Sequence, residues 1–347
     1  MKIPRQRLLL VALSACLAVA SRAGAQRLFR SDTALNITIT TNLKSFLSER
    51  DSLKLAKHEA LLSYPDSGGT LISVPVSLRA RGHFRRQARN CQFPPVRLDF
   101  KSSAVKSSLL KGLSRLKITT NCRPGNSEYE QYILQEFALY RVYASLTELS
   151  LKTRLARITY RDTLGKVAPI TTWAFFTEDM GDLAGTSNLR LMKANGALFA
   201  DLEQQPLATL SVFEYFIGNT DWSISGQHNI TLFSDSLANN VTAVPYDFDW
   251  TGAVDARYAF PDARLAIRRV TDRLYRGLCL TPELFMSTIE QFKSKRATID
   301  GLLTTTPGLT PERAKHMQEY FDEFWKRTND PRSLQREFAR DCQKQGN

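Results

Sequence analysis

Apolar and polar residues alternate in short runs through the first half of this 347-residue chain, and that period of two constrains the fold more than any other feature. Leu35 to Thr41, Leu71 to Ala80, Phe93 to Phe100, Arg115 to Thr119, Leu155 to Tyr160 and Ile170 to Phe176 each place apolar side chains on one side and polar ones on the other. Successive strand residues point to opposite faces, so each run reads as a strand with one buried face. Turn sequences separate them, at Pro65-Asp66-Ser67-Gly68-Gly69 and at Asp162-Thr163-Leu164-Gly165. Lys44 to Leu62 is charged and reads as helical or irregular. One helix interrupts the strands. From Glu128 to Leu146, the residues Ile133, Leu134, Phe137, Ala138, Tyr140 and Val142 recur at helical spacing, with Ser127 or the Gly125-Asn126 pair at the start.

Beyond Glu178 the pattern changes. Pro206 to Gly218, Ala263 to Gly277, Pro282 to Lys295 and Pro311 to Lys326 read as helices, with a short hairpin from Ile230 to Val244 among them. The boundary therefore falls at Thr177-Glu178, between a strand-rich part over residues 26–177 and a helical part over residues 178–347.

Residues 1–25 read as an export signal. Lys2, Arg5 and Arg7 precede an apolar stretch from Leu8 to Ala20, too short to span a bilayer, and Ala23-Gly24-Ala25 is a cleavage signature. The chain is then secreted or periplasmic. Leu13-Ser14-Ala15-Cys16 offers an alternative, a lipidated amino terminus at Cys16. Cys91, Cys122, Cys279 and Cys342 remain, an even number that suits two disulfides in an exported protein. Of the possible pairings, Cys91–Cys122 with Cys279–Cys342 keeps each bond within one part. The net charge is +13, or +9 without Lys2, Arg5, Arg7 and Arg22. That balance suits nucleotide phosphates, an acidic protein or an anionic envelope surface. Nucleic acid is not expected: no zinc-finger spacing, aromatic-basic RNA signature or heptad-linked basic helix occurs.

Two segments carry the chemistry. Asn219-Thr220-Asp221 opens a loop that ends at His228-Asn229, and Pro245-Tyr246-Asp247-Phe248-Asp249-Trp250 follows a strand. Phosphoryl transfer needs a carboxylate for the acceptor hydroxyl, and an amide and acids for the metal that neutralises the phosphates. Asp221 suits the first role, while Asn229, Asp247 and Asp249 suit the second. Acids one residue apart in an extended chain share a side, and the apolar neighbours of Asp247 and Asp249 predict burial. His228 reads as a brace for the loop or as a proton carrier. Lys117, on a strand, and Glu136, on the following helix, suit a phosphate-holding pair, with Arg97 and Lys101 as competitors. Arg79, Arg81 and Gly82 form a basic hairpin tip where glycine lets backbone approach a ligand. Walker A, G-x-S-x-G and H-E-x-x-H sequences are absent.

The ordered set Arg79-Ala80-Arg81-Gly82, Leu116-Lys117, Glu136, Phe176-Thr177-Glu178, Asn219-Thr220-Asp221, His228-Asn229 and Pro245-Tyr246-Asp247-Phe248-Asp249 resembles the CotH family over roughly residues 35–255. The resemblance implies an α+β, bilobal protein-kinase-like fold with a strand-rich N-lobe and a mainly helical C-lobe. It implies ATP with Mg²⁺ or Mn²⁺, and phosphorylation of Ser or Thr on an exported protein substrate. Asp221 would be the catalytic carboxylate, supported by Lys117 and Glu136. Asn229 and Asp247, helped by Asp249, would hold the metal. Arg81, Gly82 and Lys117 would hold phosphates, and Glu178 would lie near the adenine. The Asp221–Asn229 spacing is eight residues, where kinase-type loops use five, and His83 replaces the small polar residue usual in that family. A catalytically inactive kinase-fold binding protein is the alternative, as is an enzyme acting on a glycan or lipid head group.

Overall fold

The computed structural model describes residues 27–50, 56–194, 196–237 and 239–342. The expected export signal lies outside them. Seven strands form the first architectural unit: β1 (Leu35–Thr41), β2 (His58–Pro65), β3 (Leu71–Ala80), β4 (Val96–Asp99), β5 (Arg115–Thr120), β6 (Thr153–Asp162) and β7 (Ile170–Thr177). Their order is β1-β2-β3-β4-β5-β7-β6, and β6 pairs in parallel with β1, so the sheet closes into a barrel. All other barrel neighbours are antiparallel. The alternation in the sequence becomes an inside and an outside. Ile37, Ile39, Leu62, Val74, Val76, Leu78, Leu98, Ile118, Ile158 and Phe176 share one buried cluster.

The bilobal kinase-like expectation, with its mainly helical C-lobe, is overturned by this topology. The strands close on themselves, and the second half of the chain adds a three-stranded antiparallel sheet to its helices. That sheet has the order β10-β9-β8, from β8 (Arg190–Met192), β9 (Ile230–Ser234) and β10 (Val241–Pro245). The reason is the β1–β6 ladder, which runs in register from Leu35↔Ala156 to Thr41↔Asp162. Alternation specifies which face of a strand is buried; it does not say whether the first and last strands meet. β2 begins within the stretch read as helical or irregular, which covers its residues His58 to Leu62, and without it the barrel could not close.

The Ser127–Leu146 helix crosses the outside of the barrel. Asn126 caps it by accepting hydrogen bonds from the backbone N–H groups of Glu128 and Tyr129. Its apolar residues join Leu155 and Phe175 from the barrel, Phe213 and Phe216 from the Gln204–Ile217 helix, and Phe292, Phe321 and Phe338 from the last three helices, in one large core. Those last helices are Pro282–Thr304, Pro311–Arg327 and Pro331–Asp341, each with Pro in its first turn. No helix forms over residues 263–277. There Asp272 accepts from the N–H groups of Arg268 and Arg269, and Asp262 from that of Arg264, so side chains close local turns in place of a helical ladder.

Cys91–Cys122 and Cys279–Cys342 are both bonded. Two disulfides suggest an extracellular or periplasmic location. No helix among the described residues is long and apolar enough to cross a membrane. The first disulfide closes a 31-residue separation. Replacing both cysteines with Ala should lower the unfolding free energy by about 3–4 kcal/mol through unfolded-state entropy. Urea unfolding without reductant measures this; an unchanged midpoint would show that the loop is held by its other contacts alone.

Candidate functional site

The chain reaches the site by a forced route. The Gln204–Ile217 helix ends at Gly218, which takes a left-handed conformation with φ 69°. A side chain there would run into the Tyr320 hydroxyl. The chain then pairs with the segment after Asp249: Gly252 N–H donates to Gly218 O (3.1 Å), Ala253 N–H to Ile217 O (3.0 Å), and Asn219 bridges to Thr251. This pairing draws the Asp221 loop to the Asp247–Asp249 segment. Asn219 Oδ1 accepts from Asp221 N–H (2.9 Å), fixing the turn.

Asp221 is held by both ends of its expanded loop. His228 Nε2 lies 2.9 Å from Asp221 Oδ1, and Asn229 Nδ2 donates to Asp221 O (2.7 Å) and Oδ2 (3.1 Å). The three additional residues are absorbed by a small hairpin in which Ser223 and His228 exchange backbone hydrogen bonds. Asn229 O in turn accepts from Tyr246 N–H (3.0 Å), and Asp247 N–H donates to the Tyr140 hydroxyl (2.9 Å). Gln227, Asn229 and Asp247 all have φ between 45° and 67° without being glycine. Such conformations persist only where the surroundings over-determine them, and they gather at functional sites.

The centre is a group of three carboxylates around one guanidinium. Ligand atoms of Glu136, Asp247 and Asp249 lie within 4.8 Å of one another. Arg85 approaches Glu136 Oε2 at 3.6 Å, Asp247 Oδ1 at 3.3 Å and Asp249 Oδ2 at 3.4 Å. Burial works against the Arg85 charge, but Asp249, Glu136, Tyr258 and Asp247 together hold its pKa well above the usual arginine value. Burial pushes Asp249 up to about 6, opposed by Arg85 and reinforced by Asp247. Glu136 is raised well above the carboxylate range, mainly by burial. It is 1% exposed, and neither of its carboxylate oxygens has a hydrogen-bond partner. An unbonded buried carboxylate is costly and calls for a proton or a second cation. Asp247 is the open side of the group, with 42% of its side chain exposed. A hard divalent ion takes one or two carboxylates and leaves positions for phosphate oxygens, so this donor set fits Mg²⁺ or Mn²⁺.

Basic groups flank the acids. Arg81 donates to Thr119 Oγ1 (3.2 Å), and burial lowers its pKa while Asp247 raises it. Lys117 stands on β5 opposite Arg97 and Thr177, with its ammonium 5.9 Å from the centre of the Tyr246 ring. Burial and then Arg81 lower the Lys117 pKa, while Asp179 and Asp247 raise it. Gly82, at φ 81°, turns the chain between Arg81 and the loop that carries Arg85, and no atom lies within 4 Å of where its Cβ would be.

The structure thus groups Glu136, Asp247 and Asp249 around Arg85, ties Asp221 and Asn229 to the Asp247 segment through the Asn229–Tyr246 backbone bond, and places Arg81 and Lys117 where the Asp247 charge acts on both, while Gly82 only turns the chain between Arg81 and Arg85. The Glu178 carboxylate is instead turned to Lys152, accepting from its N–H (3.2 Å) with the ammonium at 3.8 Å. Arg79 and Arg97 are both paired with Asp99. Sequence reasoning missed Arg85, which takes the Glu136 partnership expected of Lys117. It sits among neighbouring arginines, and its partners come from two distant segments, so no local signal marks it. Tyr258, which donates to Asp249 Oδ2 (2.9 Å), was also missed, since it lies in a stretch without helix or strand where no periodicity places its side chain.

Beside Asp221 a cavity of about 590 Å³ opens between the loop and residues 250–276. Beneath the loop, Glu214 is buried with no hydrogen-bond partner for its carboxylate. Burial pushes it up to about 8; Asn219 opposes this and Asp221 adds to it. No protein-family model matches the chain, and no curated protein matches it.

Two measurements test the electrostatics. Arg85→Met leaves three carboxylates without their cation and should cost about 3–5 kcal/mol in urea unfolding without divalent ions. Mn²⁺ should then stabilise the variant more than the wild type, and equal shifts would argue against a cation site at these acids. For Glu214, a folded-state pKa near 8 means the native state binds the extra proton. Its contribution is fully present below the ordinary carboxylate range and is lost as pH rises to about 8. Glu214→Gln removes this dependence. The variant should gain on the wild type by up to about 1.4 kcal/mol per pH unit across that window. Parallel stability curves from about pH 5 to pH 9 would refute the assignment.

Proposed function

We propose that this protein is an exported, metal-dependent phosphotransferase that moves the γ-phosphoryl group of ATP to a hydroxyl. The observation that carries the reading is the buried, unbonded Glu136 carboxylate, grouped with Asp247 and Asp249 and flanked by Arg81 and Lys117. Acids that can hold a divalent ion beside cations that can hold phosphates are the parts phosphoryl transfer requires. The likeness to the CotH family names ATP, Mg²⁺ or Mn²⁺ and Ser/Thr hydroxyls of exported proteins as reactants. The chemistry would sit on a barrel-and-helix scaffold in place of a kinase-like fold. Residues 1–25 would be removed after Ala25 on export, in keeping with the two disulfides.

Each residue then has a role. Asp247, with Asp249 and Glu136, would hold the divalent ion, which neutralises phosphate charge. Arg81 and Lys117 bind phosphate oxygens and orient the nucleotide. Lys117 suits this role because its flexible stem ends in a point charge at the rim of the acids. Asp221 accepts the proton of the acceptor hydroxyl. His228 and Asn229 keep its carboxylate in one orientation, and an oriented base raises the rate by pre-paying entropy. Arg85 opposes the burial that would neutralise Glu136 and Asp249.

The Arg85 contacts also favour a second reading. A guanidinium within 3.6 Å of all three acids supplies a cation itself, and a non-catalytic envelope binding protein would need no other. Labelled ATP with Mg²⁺ or Mn²⁺ separates the two. Asp221→Ala and Asp247→Ala should each reduce phosphate transfer by about a hundredfold or more, the scale of a lost base or charge clamp. Equal incorporation by all three proteins would sink the enzymatic reading. Nucleotide with metal should also stabilise the fold by about 2.7 kcal/mol at a hundredfold excess over Kd, read as a rise in melting temperature. No shift would support the binding protein.

A further inference from the structure

The cavity beside Asp221 has a composition that phosphate chemistry does not explain. Its volume of about 590 Å³ falls in the range of small-molecule sites. Asp221 and His228 form one side; Trp250, Phe260, Arg264 and Arg276 form much of the rest. The Trp250 and Phe260 rings meet at a centroid distance of 4.8 Å, and Phe84 braces Trp250 edge-on at 5.2 Å. Phe260 is 61% exposed and is the only aromatic among the exposed large apolar side chains of the described residues. Exposing a phenyl ring forfeits the free energy of burying it. It lies in a stretch without helix or strand, from Tyr246 to Thr281, and irregular segments of that length inside compact proteins usually serve binding.

The polar wall is not built for a polyanion. Arg264 is paired with Asp262, and Arg276 donates to the Thr220 carbonyl oxygen. Nor is it built for an extended peptide. The lining residues belong to loops, so the cavity offers neither the strand edge nor the helix groove by which peptides are held. An exposed aromatic ring in one lining with a carboxylate, an imidazole and two guanidinium groups suits a ring with one C–H face and a rim of hydroxyls.

We propose that this cavity is the acceptor subsite and that the acceptor is a neutral saccharide, phosphorylated on a hydroxyl placed at Asp221. This rests on the phosphotransferase reading and names its substrate class. In the step, the sugar oxygen forms a bond to the γ-phosphorus of ATP, and the bond from that phosphorus to the bridging oxygen breaks. ADP leaves with the electron pair, and the hydroxyl proton passes to the Asp221 carboxylate.

The test separates binding from transfer. Tryptophan fluorescence and saturation-transfer NMR are recorded with glucose, galactose, N-acetylglucosamine and maltose at millimolar concentration, without nucleotide. At least one sugar should bind, and Phe260→Ala should weaken it tenfold or more. The exposed position of Phe260 should leave the melting temperature of the variant unchanged. Absence of binding by all four sugars, or equal binding by Phe260→Ala, overturns the proposal. Labelled ATP is then offered with the sugar that binds and with a mixed Ser/Thr peptide library. Label in the sugar supports the proposal; label in peptide alone overturns it while leaving the phosphotransferase reading intact. Sugar binding that depends on Phe260, with label in neither acceptor, supports the saccharide site and defeats the phosphotransferase reading.

Discussion

Three carboxylates around the Arg85 guanidinium, two of them buried, set the terms for everything near them. Glu136 comes from the long helix, Asp247 and Asp249 from the segment after β10, and Arg85 from the loop after β3. Separating such charges from water costs several kcal/mol per ion, so the group persists only if all its carriers are held in place. The Arg85 loop is held accordingly. Cys91 is bonded to Cys122, Arg50 donates to the carbonyl oxygens of Cys91 and Gln92, and Phe84 packs on Trp250. The disulfide therefore secures the loop that carries the central cation.

The barrel serves this arrangement as a frame. β3 ends where Arg81 and Gly82 begin the Arg85 loop, and β5 carries Lys117 at the same rim. The long helix lies against β6 and β7, which directs Glu136 and Tyr140 toward the Asp247 backbone. On the other side, Gly218 and its pairing with Gly252 bring Asp221 alongside. A closed sheet has no free edge to fray, so residues drawn from five separate segments keep fixed spacings. Charge stabilisation depends steeply on such spacing.

The acids were legible in the sequence because carboxylates among apolar neighbours demand an explanation. Asp247 and Asp249 proved to be clustered with Glu136, and Asp221 bonded to Asn229, although that loop is three residues longer than the kinase-type spacing. The residue that joins them was not legible. Arg85 looks like its neighbours Arg81 and Arg86, and its role exists only through contacts 51 to 164 residues away in sequence. The stretch from Ala263 to Gly277 has helical periodicity, but Asp262 and Asp272 bind the backbone N–H groups a helix would use. β2 was hidden because it follows a charged run and only Leu62 and Tyr64 of its eight residues are buried, too few to show an alternation.

The sequence by itself determined the strand-forming runs, the long helix, an even number of cysteines for pairing and the acidic residues. These follow from local causes: side-chain periodicity, turn and cap chemistry, cysteine number, and the cost of placing a charge among apolar groups. Only the tertiary structure decided that the strands close into a barrel, that Arg85 rather than Lys117 meets Glu136, and that aromatic rings line a cavity beside Asp221. Each of these depends on which distant segments meet. Strand alternation and charge are compatible with several such meetings, and the closing β1–β6 ladder and the three-acid group select one by pairing backbone and charge that would otherwise be buried alone.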